Sequence, residues 1–188
     1  PIMAACTHGE DSFLFVAHVT DDDEEKDGPP QDEIRVYRAV RRSHPQPPTL
    51  LYTIAIPNRP ADLLPTADCQ RLVVAHENDN DGRDRGSITF IEQAHTADQH
   101  MTLNVVLDDK EGWDDEYFLN RGLNMPLTKK ALEYWDDHSH LADDLDFSDV
   151  RADYQSSIFL KPQTIAWGNP EESELLVSLQ INNGLLRM

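Results

Sequence analysis

The sequence is poor in the features that would assign it quickly. No stretch in its 188 residues approaches the roughly 18 consecutive apolar residues of a membrane-spanning helix, so no span is expected. Basic residues are scarce, 16 Lys and Arg against 35 Asp and Glu, which leaves a formal net charge of -19. A field of that sign repels nucleic acid and anionic membrane surfaces, and neither is an expected partner. Solubility or cation binding suits the acidity better. Cysteine is limited to Cys6 and Cys69, too few for a disulfide framework or a paired-cysteine zinc site. The two sit at different offsets from the apolar runs near them, so free or buried thiols are expected, and an oxidising compartment is neither required nor excluded. Nucleophile elbow, P-loop and dinucleotide fingerprint are all missing, and no reaction can be named from a motif.

What is present is a short apolar run that occurs three times. Aligned on its central valine it reads Leu14-Phe15-Val16-Ala17-His18, Leu72-Val73-Val74-Ala75-His76 and Leu175-Leu176-Val177-Ser178-Leu179. Apolar runs of this length bounded by polar turn residues predict strands buried on both faces. Each is followed by a polar loop and a second strand: Ile34 to Tyr37, Ile88 to Ile91, and Leu185 to Met188. The first two of these alternate, as strands with one face packed and one in solvent do. Turn-rich segments precede the runs at Thr7 to Asp11, Thr66 to Gln70 and Gly168 to Ser173. Further upstream, Pro60-Ala61-Asp62-Leu63-Leu64 matches Pro162-Gln163-Thr164-Ile165-Ala166, each a strand led in by a proline that has no ladder hydrogen to donate.

Strand, turn, buried strand, loop and alternating strand, repeated at intervals of roughly 40 to 50 residues, is the pattern of a β-propeller blade. An antiparallel sandwich offers short strands at similar spacing and is the alternative all-β reading. The expected fold is therefore all-β, a propeller segment of about three blades of YVTN or WD40 type with one largely helical or irregular insertion. The pattern divides into two blades over 1–107, an acidic, partly helical insertion over 108–157, and the start of a further blade over 158–188. Outer strands are predicted at Leu50 to Ile56 and Met101 to Leu107, and a helix over Leu127 to Trp135 capped by Thr128. Closure takes at least four blades. The chain opens at Pro1 and reaches Met188 inside an expected strand, just after the hairpin signal Asn183-Gly184. The expectation is a piece of a longer protein, with the remaining blades and any signal peptide or anchor outside it.

The pairing of Lys161-Pro162-Gln163-Thr164-Ile165-Ala166 with Glu174 to Gly184 resembles the choice-of-anchor I family, which comprises alkaline-phosphatase-like and mesenchyme-specific cell-surface glycoprotein-like propellers. Two elements carry the resemblance: Leu179-Gln180-Ile181-Asn182-Asn183, and the segment from Val74-Ala75-His76-Glu77 to Gly86-Ser87-Ile88. It implies a secreted or surface-attached propeller, and the expected partner is a protein or carbohydrate ligand. It does not imply an activity.

Candidate chemistry lies first in Glu77-Asn78-Asp79-Asn80-Asp81-Gly82, where Glu77, Asp79 and Asp81 alternate ahead of a glycine. Alternating oxygen ligands with a tight turn suit Ca²⁺, although Ile88 stands where an EF-hand would place its bidentate glutamate. His18 and His76 end their runs at matching positions, which suits a ligand or base facing a channel. Leu179 at the third copy favours packing instead. His138 and His140 lie among Asp136, Asp137, Asp143 and Asp144 without zincin spacing, and 21–27 is a solvated acidic run. The functional expectation is a non-catalytic binding or scaffolding propeller of a secreted or cell-surface protein, with Ca²⁺ as a candidate cofactor. The alternative is a calcium-dependent phosphoesterase or lactonase.

Overall fold

Phe13, Leu14, Phe15, Val16 and Ala17 form an unbroken apolar run of a length that suits a strand. The computed structural model describes residues 2–19, 32–40, 47–57, 59–76, 86–97, 99–107, 160–179 and 184–188. Every regular element among them is a strand: β1 Met3–His8, β2 Asp11–His18, β3 Glu33–Val40, β4 Thr49–Ala55, β5 Pro60–Pro65, β6 Arg71–His76, β7 Ser87–Glu92, β8 Met101–Val106, β9 Pro162–Trp167, β10 Leu175–Leu179 and β11 Gly184–Arg187. They form three antiparallel meanders, β1-β2-β3-β4, β5-β6-β7-β8 and β9-β10-β11, each joining strands in chain order. The all-β, antiparallel class is as expected; the sheets do not close into a ring. The helix expected over Leu127 to Trp135, and the rest of the 108–157 insertion, lie outside the described residues.

The meanders repeat in register as well as in order. His18 pairs with Glu33, His76 with Ser87 and Leu179 with Gly184, so each apolar run ends opposite the first residue of the next strand. Pro60 and Pro162 begin their strands and pair with His76 and Leu179 respectively. Both prolines sit where the missing N–H is tolerated, at a strand's first position and beside a register shift. The β1–β2 connection has two residues, Gly9 and Glu10. Gly9 takes φ of 64° at the first of them, which glycine adopts without strain and which a two-residue hairpin of the II′ type demands.

Packing distinguishes the three sheets. The middle one is covered on both faces. Leu72 and Val74 of β6 join Phe13, Phe15, Ile34, Val36 and Ile54 of the first sheet in one core. Val73 and Ala75 join Ile165, Leu175, Val177, Leu179 and Leu186 of the third sheet in another. β6 is thus buried over its whole length after Arg71, whereas β2 and β10 alternate between buried and half-buried. The expectation that all three runs are buried on both faces is corrected for β2 and β10. In each of these the inward residues meet the middle sheet, and the outward ones, such as Leu14, Val16 and Leu176, meet no sheet among the described residues. Each fully buried aliphatic side chain contributes about 1.5–3 kcal/mol relative to exposure.

Polar links reinforce both interfaces. Between the second and third sheets, Ile165 N–H donates to Asp62 Oδ2 at 3.0 Å while Leu63 N–H donates to Oδ1 at 2.9 Å, so one carboxylate spans the gap. Trp167 Nε1 donates to the Pro65 carbonyl at 3.2 Å, and Ala67 N–H donates to Glu172 Oε1 at 2.8 Å. Gly86 is required there for room. A Cβ on it would stand 1.9 Å from the Leu160 carbonyl oxygen.

Between the first and second sheets, Tyr52 of β4 donates its hydroxyl to the Ala94 carbonyl. Cys6 on β1 and Cys69 in the β5–β6 turn form a disulfide with a Cα–Cα distance of 5.6 Å. This corrects the expectation of free thiols. The bond joins different positions of two neighbouring sheets, so matching offsets within the repeats are not what brings the cysteines together. Around Cys69 the turn is tightly organised. The residue itself takes φ of 61°. Thr66 Oγ1 accepts from Arg71 N–H at 2.9 Å and donates to Asp68 Oδ1 at 2.8 Å. Asp68 also accepts from Gln70 N–H at 3.0 Å, and that bond first, then the Thr66 hydroxyl, holds its carboxyl below the usual range.

Replacing Cys6 and Cys69 together by alanine is expected to cost about 4 kcal/mol, the closure entropy of a loop of this length. Denaturant unfolding of the oxidised, reduced and doubly substituted proteins measures it. A second expectation concerns Tyr52, whose phenol burial raises to about 12. A raised folded pKa means that its contribution is complete below the unfolded value of about 10 and is lost as pH rises through about 12. Tyr52→Phe is expected to flatten stability over that window and to cost about 1 kcal/mol at neutral pH through the lost hydrogen bond. Urea midpoints taken across the alkaline range check both effects.

Candidate functional site

The strongest concentration of buried polar atoms lies at the end of the middle sheet where β6 stops and β7 begins. Strand alternation places His76 on the same face as Leu72 and Val74, turned to the first sheet, and Thr89 beside it on β7. Both are all but inaccessible, His76 at 0 % and Thr89 at 1 %. His76 Nε2 lies 2.8 Å from Thr89 Oγ1, and Thr89 Oγ1 donates to Asn104 Oδ1 of β8 at 2.9 Å. The threonine has a single hydroxyl hydrogen and gives it to the asparagine, so the imidazole is the donor and Nε2 carries its proton. The result is a directed chain from a buried ring, through a buried hydroxyl, to an exposed amide. Ser87, opposite His76 in the ladder, is fully buried, and its hydroxyl has no hydrogen-bond partner among the described residues.

This geometry sets what the Nε2 atom of His76 can do. With Nε2 committed as a donor to Thr89, that nitrogen offers no lone pair to a metal or to a substrate proton. Through this bond the side chain ties β6 to β7, and Thr89 carries the tie on to β8. His18, at the matching register of the first sheet, is half-buried and ladder-paired with Glu33. Leu179 fills the position in the third sheet with a purely apolar side chain, 3 % exposed. The series thus runs from half-buried polar, through buried and hydrogen-bonded, to buried apolar.

The other candidates stand apart from this cluster. Glu77, Asp79 and Asp81 lie outside the described residues, as do His138 and His140. Among the described residues no three His, Cys, Asp or Glu side chains converge in a way that would hold a metal ion, and no helix is long and apolar enough to cross a membrane. Ser87, Thr89 and Asn104 were not legible as a group in the sequence. A signal existed in Thr89, between Ile88 and Phe90, and Asn104, between Leu103 and Val105, which ladder pairing sets opposite one another.

His76→Ala is expected to destabilise by about 3 kcal/mol, combining a cavity with the loss of a buried hydrogen bond. His76→Leu, which keeps the volume and copies the third sheet, is expected to cost about 1 kcal/mol. Equilibrium unfolding in urea separates the two.

No family model, curated protein or solved structure matches this chain, so the resemblance to choice-of-anchor I propellers rests on the residues quoted for it.

Proposed function

We propose that the chain is part of a β-propeller that serves outside the cell as a non-catalytic binding or scaffolding module for a protein or carbohydrate ligand. The observation that carries this reading is the Cys6–Cys69 disulfide between two successive meanders packed face to face. Cystines persist in oxidising compartments, and one that staples neighbouring sheets suits a secreted or cell-surface protein. Successive four-stranded meanders stacked face to face are also how propeller blades meet. Apolar residues on the outward faces of the end sheets agree with further blades packing there. Met3 is 56 % exposed on the first sheet and Leu185 64 % on the third. The commitment of His76 to Thr89 suits a structural use of the one fully buried imidazole among the described residues.

In this reading Ca²⁺ bound through Glu77, Asp79 and Asp81 has a structural role, shaping the connection between β6 and β7 for the ligand. Two measurements test it together. Calorimetric titration with Ca²⁺ is expected to show binding that the E77Q/D79N/D81N variant loses. Assays of generic phosphoesters and lactones are expected to stay at background with and without a chelator. Hydrolysis that a chelator abolishes and Ca²⁺ restores would overturn the non-catalytic reading in favour of a calcium-dependent hydrolase.

A further inference from the structure

The third sheet is one strand narrower than the other two among the described residues, and its outer edge, β11, is open. Leu175 and Met188 exchange both backbone hydrogen bonds, Leu175 N–H donating at 3.0 Å and Met188 N–H at 2.8 Å. Antiparallel alternation then turns Leu186 and Gly184 toward β10 as well, and turns the N–H and C=O groups of Leu185 and Arg187 to the free edge. In the middle sheet the same positions are filled. Gly184 matches Ser87 in register, so Leu185 and Arg187 match Ile88 and Phe90, which pair with Val105 and Leu103 of β8.

A second observation concerns the sheet that faces this edge. Tyr52 pairs with Val36 and Leu103 pairs with Phe90, so the two hold the same register position on β4 and β8. Tyr52 is covered by the stretch that leads into the next sheet's outer strand. It donates to the Ala94 carbonyl and stacks on His100, with ring centroids 5.7 Å apart. Leu103 has no such cover. It is 63 % exposed, and Met101, two residues along on the same face, is 64 % exposed. Phe90, opposite Leu103, packs against the core shared by the second and third sheets, so the exposed pair continues an established interface. An open edge and an uncovered apolar strip thus stand where one further strand and its lead-in would lie.

We propose that the β11 edge, with Leu103 and Met101, is a strand-acceptor site for an extended basic segment of another protein, bound antiparallel to β11 and carrying aliphatic side chains at alternate positions. Main-chain hydrogen bonds to Leu185 and Arg187 supply affinity, and closure of the aliphatic side chains on Leu103 and Met101 supplies selection. The charge of the segment follows from that of the chain. A net charge of -19 steers a basic strand in, and it repels the two competing occupants, a second copy of this chain and the acidic 108–157 insertion. Arg187, the one basic side chain of β11, is matched by Glu174 at 2.6 Å. The inference deepens the binding reading above, on which it rests for there being a protein ligand, and it holds whether or not the meanders close into a ring.

The probe is an end-blocked peptide of alternating Lys and Val, titrated into the oxidised full chain. Binding is expected, weakening as salt is raised. It is expected to fall at least about tenfold in Leu103→Lys and in Leu185→Pro. The proline removes an N–H that serves the free edge and not the β10 ladder. Leu51→Lys, on the face of β4 turned away from Tyr52 and Ile54, is expected to bind as the wild type does. Amide hydrogen exchange, which needs no substitution, is expected to slow at Leu185 and Arg187 when the peptide is present. Three results would each overturn the proposal: no binding of the Lys and Val peptide, equal binding of a Glu and Val peptide, or amides of Leu185 and Arg187 protected in the free chain by self-association or by its own insertion. The Ca²⁺ titration and the hydrolase assays do not involve this edge, so a failure here and a failure of the non-catalytic reading are told apart.

Discussion

The whole arrangement depends on burying one strand, β6, on both faces. Leu72 and Val74 close against the first sheet, Val73 and Ala75 against the third, and none of the four is accessible to solvent. A strand of this kind has no solvent face to set its register by alternation, so other features set it. The leading proline of β5, the Thr66–Asp68 turn and the His76–Thr89–Asn104 chain are the features in place to do so. Hydrophobic burial supplies the driving force, and polar pairing selects one alignment from several of similar burial.

Each boundary of the middle sheet has its own chemistry. Toward the third sheet the links are hydrogen bonds from backbone or indole N–H groups to Asp62, Pro65 and Glu172, with Gly86 giving the close approach that a larger residue would block. Toward the first sheet the link is covalent, flanked by stacked histidines and by Tyr52. A covalent tie there is physically sensible. The two sheets are otherwise joined by one apolar layer and few hydrogen bonds, and a constraint on the unfolded chain adds stability without needing more buried area. The same turn supplies the Asp68 and Cys69 carbonyls that His8 and His95 meet through Nδ1.

Much of the fold was legible because strand period and turn chemistry are local properties. The runs at Leu14, Leu72 and Leu175, the alternating strands after them, the outer strands near Leu50 and Met101, and the prolines at 60 and 162 all became strands at those places. β1 was not singled out, since Met3-Ala4-Ala5-Cys6-Thr7 is mostly small residues without a strong alternation. Both-face burial was expected for three runs and holds for one, because coverage of the second face depends on a neighbouring sheet and not on the run itself. Of the candidate site, His76 was legible as a matched repeat position. Its partners were not, since Thr89 and Asn104 reach it only through ladder pairing.

By itself the sequence determined the all-β class, the order and limits of most strands, the acidity and the absence of a long apolar span. Each of these follows from composition or from a period of two residues, which the chain carries locally. Only the tertiary structure decided which faces are covered, which cysteines meet and which protons the histidines hold. Those depend on residues tens of positions apart arriving at one interface. Cys6 and Cys69 are 63 residues apart in the chain, and it is the packing of one sheet on the next that brings them, with His8 and His95, to the same turn.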